Sequence, residues 1–294
     1  MATRTQGLLL ASFLLVLGIF LVLMGLSWTL RGSSEFLGLG LAEGGSRIGL
    51  VLLEGPIEEA RPILEEIDEL RRDNSVKAVV LRVNSPGGDV GPSQELHDAV
   101  ARLAAEKPVV ASVGGVAASG AYYAAMAADS IVSPPGSVIG RIGVVLSYPT
   151  AVELLDKLGV EWRTYKSGRL KDMGSFSRAP TEEEEAVMDA VIADVFDQFV
   201  TAVAEDRGLD RDFVLALADG RIFTGRQALE AGLVDRLGDY QEAVVMAAAM
   251  GGVEPAAPLV RKARPRIPWL DLLDDILQGG ASASWGPRLE YRLR

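Results

Sequence analysis

An α/β fold built on a largely parallel sheet is the expectation for this 294-residue chain, and three observations carry it. Short apolar runs alternate with longer helically patterned stretches. Glycine-containing turns directly follow two of the runs, at Asn84 to Gly88 and at Gly114-Gly115. A hydrophobic content of 49% at this length allows one substantial core, with or without a membrane segment.

The first element is Gly7 to Leu30, a stretch without a charge. At about 1.5 Å per residue it is long enough to span a hydrocarbon core of roughly 30 Å with some tilt. A cleaved signal peptide would have a shorter apolar region and a small-residue cleavage site, whereas Trp28 and Arg31 close this one. Residues 1–31 therefore read as an uncleaved anchor. Arg4 and the amino terminus flank one end and Arg31 and Glu35 the other, which favours the amino terminus inside and a catalytic body on the extracytoplasmic side of the cell membrane. Residues 32–46, rich in Gly and Ser, form a tether.

The folded domain is expected over residues 47–250. Strands are predicted at Ile48 to Leu53, Ala78 to Val83 and Val109 to Val113, and helices at Ile57 to Arg72 and Ser93 to Glu106. A small-residue helix follows from about Ser119 to Ala128. Next come strands near Ile131 and at Ile142 to Leu146, a helix near Ala151 to Leu158 and a strand at Trp162 to Tyr165. Three further helices are predicted to start at Thr181-Glu-Glu-Glu, which resembles a capping box, near Asp210 and at Thr224-Gly-Arg-Gln. Residues 251–294 contain five prolines after Val253 and one amphipathic stretch, Trp269 to Leu277, and read as a loosely attached extension.

Composition excludes several kinds of chemistry. Forty acidic residues against twenty-nine basic ones give a net charge of −11, with no basic stripe in the body of the chain, so a nucleic-acid partner is not expected. The absence of cysteine removes disulfides, a thiolate nucleophile and cysteine-ligated metals. A single histidine, His97, argues against a His-rich metal site, and no metal or other cofactor is expected.

Three segments are candidates for catalysis. After the strand ending at Val83, Asn84-Ser85-Pro86-Gly87-Gly88 forms a turn whose backbone N–H groups can approach a ligand unobstructed, either as an ordinary β-to-α turn or as one donor of an oxyanion hole. After the strand ending at Val113, Ser119 lies at the start of the small-residue helix. There it is either an N-cap or a nucleophile, with the Gly120 N–H as an oxyanion donor. A nucleophilic serine needs a base. His97 sits in a patterned helix where packing or exposure is the more common role, which leaves lysine. Lys166 and Lys171 both lie in the loop Tyr165-Lys-Ser-Gly-Arg-Leu-Lys-Asp, and a desolvated lysine can accept a serine proton near neutral pH. Position alone does not choose between them.

The ordered set NSPGG, GGVAASGAYYAAMAAD, Gly136 to Gly143, YKSGRLKDMGSFSR and ADGRIFTGRQALEAGLVDRLG resembles the short form of signal peptide peptidase A, from about Ile48 to Met250. That family comprises Ser–Lys proteases with a ClpP/crotonase-like fold and an amino-terminal anchor. The resemblance implies Ser119 as nucleophile, Lys171 as general base, and the backbone N–H groups of Gly88 and Gly120 as the oxyanion hole. It also implies a homo-oligomer in which the dyad is shared between subunits, with signal peptides and other hydrophobic or membrane-associated peptides as substrates. One departure is Arg141, where the family pattern has a hydroxyl residue near the lysine. The guanidinium could favour the neutral amine of Lys171 or bind a substrate carboxylate. Two other functions share such a fold, an inactive membrane-bound peptide scaffold and a crotonase-like acyl-CoA enzyme. The retained Ser119 and Lys171 weigh against the first, and the anchor and dyad, which it does not need, against the second.

Overall fold

A computed structural model describes residues 45–262 and 288–292. The expected anchor lies outside the described residues, and no helix among those described is long and apolar enough to cross a membrane.

In chain order β1 (Arg47–Glu54) leads through α1 (Arg61–Arg72) to β2 (Val76–Ser85), and a turn into β3 (Gly87–Asp89) opens α2 (Val90–Ala104). β4 (Val109–Ala118) runs into α3 (Gly120–Ala125), followed by β5 (Ser130–Ser133), β6 (Val138–Gly140) and β7 (Val145–Ser147). Then come α4 (Val152–Leu158), α5 (Glu182–Arg207), α6 (Arg211–Leu217), β8 (Ile222–Thr224) and α7 (Gly225–Glu230). β9 (Arg236–Leu237), α8 (Tyr240–Gly251), β10 (Leu259–Val260) and β11 (Arg288–Arg292) complete the described elements.

The main sheet runs β10-β1-β2-β4-β5-β9 with every neighbouring pair parallel. Side chains alternate along β2. Val79, Leu81 and Val83 enter a core shared with α1, α2, α3 and α5, while Ala78 and Val80 pack on Ala243, Val244, Ala247 and Ala248 of α8. Cover on both faces explains why the central strands read as unbroken apolar runs. Each fully buried valine or leucine contributes about 1.5–3 kcal/mol relative to exposure, which makes this sheet the rigid support of everything attached to its strand ends.

Two features depart from simple parallel layering. The far half of β4 pairs with β6, which pairs antiparallel with β8. A separate antiparallel sheet, β3-β11-β7, places residues 288–292 between the turn after β2 and the strand after β6.

The capping signals operate as the sequence indicates: Thr181 with Glu184 and Thr224 with Gln227 form reciprocal capping boxes, and Asp210 caps α6. Other boundaries differ. α1 begins only at Arg61, with Pro62 in its first turn, because Ile57 instead bridges to Gly88. The stretch expected as a strand over Ile142 to Leu146 is interrupted: β6 ends at Gly140 and β7 starts at Val145, after a turn with φ of 88° at Gly140 and 52° at Arg141. Trp162 to Tyr165 is not a strand. Trp162 packs edge-on against Phe176 and Tyr165 is exposed, so β propensity there finds no sheet edge to join. α8 was not expected; its cap is Asp239, which accepts from the Glu242 N–H at 3.0 Å.

Candidate active site

Ser119 is the single residue between β4 and α3, with φ 58° and ψ −123°. A non-glycine residue in that region is strained by about 1–3 kcal/mol and persists only where its surroundings enforce it. The enforcement is visible. Ala117, Ala118, Gly120, Ala121, Ala124 and Ala125 are all buried, so only small side chains separate the elbow from the sheet. The Ser119 N–H donates to the Gly140 carbonyl at 2.7 Å, and its carbonyl accepts from the Tyr123 N–H at 2.9 Å. The hydroxyl makes no capping hydrogen bond, so the purely structural role open to this serine is not used. Ser119 lines a cavity of about 430 Å³ together with Arg141, Val144, Phe196, Ala218 and Asp219.

Gly120 is the first residue of α3, and its N–H therefore has no intrahelical acceptor. Gly88 sits on the neighbouring strand end. The Ile57 N–H donates to the Gly87 carbonyl at 3.0 Å, and Asp89 N–H donates to the Ile57 carbonyl at 2.7 Å. With both neighbours engaged by Ile57, the N–H and C=O of Gly88 face the opposite edge, where β11 places Tyr291 across from it. A Cβ at Gly88 would lie 2.0 Å from the Ile57 carbonyl oxygen, so no other residue fits. Asn84, whose role the sequence left open, accepts from the N–H groups of Gly115 (3.1 Å) and Val116 (3.3 Å) and so ties this turn to the strand that delivers Ser119. Its position at the head of the Asn-Ser-Pro-Gly-Gly turn was the available signal.

Lys171 does not line the Ser119 cavity. It is exposed, on a turn that lines a separate open concavity with Ser167, Gly168, Arg169 and Leu170, and its amine has no hydrogen bond or ion pair among the described residues. Lys166 differs. Its amine donates to the Arg169 carbonyl at 2.8 Å and is paired with Asp172. Arg178, followed by Lys166, holds the Asp172 carboxyl well below the usual carboxylate range. Arg178 also pairs with buried Glu184 and, with the Thr181 N–H, keeps that carboxyl down at about 2. Within one chain, then, the structure brings Ser119, Gly120 and Arg141 into one neighbourhood and leaves Lys171 outside it.

His97 is occupied elsewhere. Its Nε2 is 2.7 Å from Asp206 and its ring stacks obliquely on Tyr123 at 5.0 Å. Burial opposes its charge, and the hydrogen bonds to Asp206 and Asp98 outweigh that, raising its pKa above 6.5.

Arg141 shares the cavity with Ser119. Its N–H donates to the Arg221 carbonyl at 3.0 Å, and the Gly220 N–H donates to the Ile142 carbonyl at 3.1 Å, which anchors the turn on both sides. Nη1 of its guanidinium is buried with no hydrogen-bond partner. Asp219, also on the cavity wall, is engaged by the backbone N–H, Nε and Nη2 of Arg221, which hold its pKa at about 2. Phe196 was not identified from sequence, and Asp219–Gly220 was marked only as part of the ADGRIF motif, with no place on a cavity wall assigned to it.

The residues that build this strand–serine–helix elbow and its cavity fall within the match to a known family. The model of Peptidase family S49 covers residues 101–254, which include Ser119, Arg141 and Lys171. This chain belongs to peptidase family S49. A Clp protease model matches residues 47–139, the part of the chain that carries β1 to β5 and the Gly88 turn. Among similar S49-like proteins are one from Synechocystis sp. named as a protease, 44% identical over 60% of this chain and 64% of its own length, and one from Enterococcus faecium named as a signal peptide peptidase SppA, 41% identical over 62% and 53%. Protease 4 of Salmonella typhi is 35% identical over 74% of this chain and 35% of its own length. The chain thus spans less than two thirds of each of these relatives.

Proposed function

We propose that this S49 member is a membrane-anchored serine endopeptidase that cleaves signal peptides and other hydrophobic peptides, with Ser119 as nucleophile and Lys171 of a neighbouring subunit as general base. The observation that carries the reading is Ser119 itself: strained, enforced by its surroundings, without a capping role, and on the wall of a cavity. The relatives named as proteases support it, as does the signal peptide peptidase name of one of them.

In this mechanism the neutral Lys171 amine removes the Ser119 proton as Oγ attacks the scissile carbonyl carbon. The resulting oxyanion is stabilised by the N–H groups of Gly88 and Gly120. Collapse breaks the C–N bond, the lysine ammonium returns the proton to the leaving amine, and an acyl-enzyme remains on Oγ. Water, deprotonated by the same amine, then releases the second product and regenerates the serine. Lys171 is free of the ion pairs that tie Lys166, which favours it as the group that changes partners. Its place on a concavity other than the Ser119 cavity within one chain supports delivery from a second subunit, where exclusion of water at the interface would favour a neutral amine.

The β3 and β7 edges give the peptide a place. In the chain itself they flank the extended segment 288–292, with Gly88 opposite Tyr291 and Leu146 opposite Leu289. A substrate added as a strand at these edges would gain main-chain hydrogen bonds independent of sequence and run past the oxyanion turn. The reading is tested by incubating the purified protein with a fluorogenic hydrophobic peptide and with a fluorophosphonate probe. Hydrolysis and labelling, both lost in Ser119→Ala, are expected. Labelling of a site other than Ser119, or hydrolysis that persists in the variant, refutes it.

A further inference from the structure

We propose that Arg141 is a specificity-determining residue that receives a carboxylate of the peptide in the cavity beside Ser119, so that hydrophobic substrates bearing an acidic group near the cleaved bond are favoured. The proposal rests on the peptidase reading and adds the chemistry of one subsite. Four observations lead to it. Arg141 and Ser119 line the same cavity. The Arg141 side chain has no hydrogen bond or ion pair among the described residues, and its Nη1 is buried as well, so that part of the guanidinium is denied both protein and solvent acceptors. The acidic group on the same wall, Asp219, is consumed by Arg221, which leaves a positive charge uncompensated in the cavity. The turn itself is fixed, with consecutive left-handed residues Gly140 and Arg141 bonded to Ser119 on one side and Arg221 on the other, so the guanidinium is presented by rigid backbone.

A carboxylate is the group that meets these conditions. It offsets the charge and can take two of the five guanidinium donors at once, whereas a carbonyl oxygen supplies no charge. Val144, Val145, Phe196 and Ala218 form the remaining wall and would accept a short aliphatic stem. Two sources present that chemistry: an Asp or Glu side chain within the peptide, and the free terminal carboxylate of an apolar peptide.

The test uses the full chain and three matched peptide sets: an internal Glu with an amidated terminus, the same peptide with Gln, and an apolar peptide with a free or amidated terminus. For the wild type, kcat/KM for the carboxylate form is expected to exceed that of its uncharged isostere by roughly 10- to 100-fold, the value of hydrogen bonds to a charged group. Arg141→Gln should collapse that ratio towards one, chiefly through KM, and Arg141→Lys should restore part of it. Whichever set shows the ratio, Glu against Gln or free against amidated terminus, identifies the source. The same ratios are measured as binding by the Ser119→Ala protein, by fluorescence anisotropy. Carboxylate preference in binding without hydrolysis by the wild type supports the subsite while refuting the peptidase reading. Equal ratios in wild type and Arg141→Gln overturn the proposal. So does an Arg141→Gln effect that appears for all peptides alike as a displaced pH profile, since that assigns the guanidinium to the base.

Discussion

The backbone N–H of Ser119 donates to the carbonyl of Gly140 at 2.7 Å, so Ser119 and the turn that carries Arg141 are one hydrogen-bonded unit. Because that N–H is committed, it is not free to bind an oxyanion, in keeping with the proposal that Gly120 and Gly88 supply the donors. Disturbing the turn should therefore reach the proposed nucleophile.

Gly140→Ala tests this coupling. Gly140 has φ 88°, and an added Cβ would lie 2.8 Å from Cδ2 of Phe223. The strain, about 1–3 kcal/mol, can be relieved only by moving the turn or the ring. Thermal melting should show a loss in that range, and kcat/KM should fall by more than tenfold, well beyond what the loss of folded protein explains. A variant with lower melting temperature and full activity would uncouple the turn from catalysis.

For the proposed dyad, Ser119→Ala or Lys171→Ala should each abolish peptide hydrolysis with folding and assembly intact, because on that reading each removes half of a single proton-transfer unit. Lys166→Ala should keep much of the activity, since its amine serves an ion pair with Asp172. Thiol reagents and chelators should have no effect. An essential Lys166 with a dispensable Lys171 would reverse the assignment.

Shared sites predict complementation. Ser119→Ala and Lys171→Ala proteins, dissociated, mixed equally and reassembled, should recover activity at about a quarter of interfaces under random cyclic mixing. With subunit exchange confirmed independently, a mixture that stays inactive places both groups in one chain.

His97 provides a pH test remote from the cavity. Its folded pKa lies above 6.5 through Asp206 and Asp98, so the stability it contributes is complete below the unfolded value and is lost as pH rises through the folded one. The melting-temperature difference between wild type and His97→Gln should be largest near pH 6 and shrink by about pH 9. A difference that grows with pH contradicts the pairing.

The sheet and the capped helices were legible in the sequence because they rest on local signals: apolar runs at β1, β2 and β4, and hydroxyl or carboxylate caps at Thr181, Asp210 and Thr224. Ser119 was legible as a residue, and its backbone was not, since a positive φ on a serine is imposed by contacts with a turn twenty residues away. The strand expected from Ile142 starts only at Val145, and that delay was missed for the same reason. A short apolar run reads as a strand until tertiary hydrogen bonds to Ser119 and Arg221 bend it. Trp162 to Tyr165 failed in the opposite sense, as strand-forming residues with no edge to join. Phe196 gave no signal, and Asp219 was marked only by its motif and not as a wall, because a cavity wall assembled from separate elements leaves no pattern in any of them.

The segment 288–292, held between β3 and β7, has a kinetic consequence. If substrate strands use the same edges, each chain carries its own competitor, acting at the effective concentration of a tethered group, up to about the millimolar range. Diluting the enzyme relieves a free inhibitor but leaves this one in place, so the KM measured for any peptide already contains the cost of displacing it. Deleting residues 288–294 should lower KM with little change in kcat, and the same synthetic segment added back should compete only at concentrations approaching the tethered value. A KM insensitive to the deletion would mean that the substrate enters by another edge.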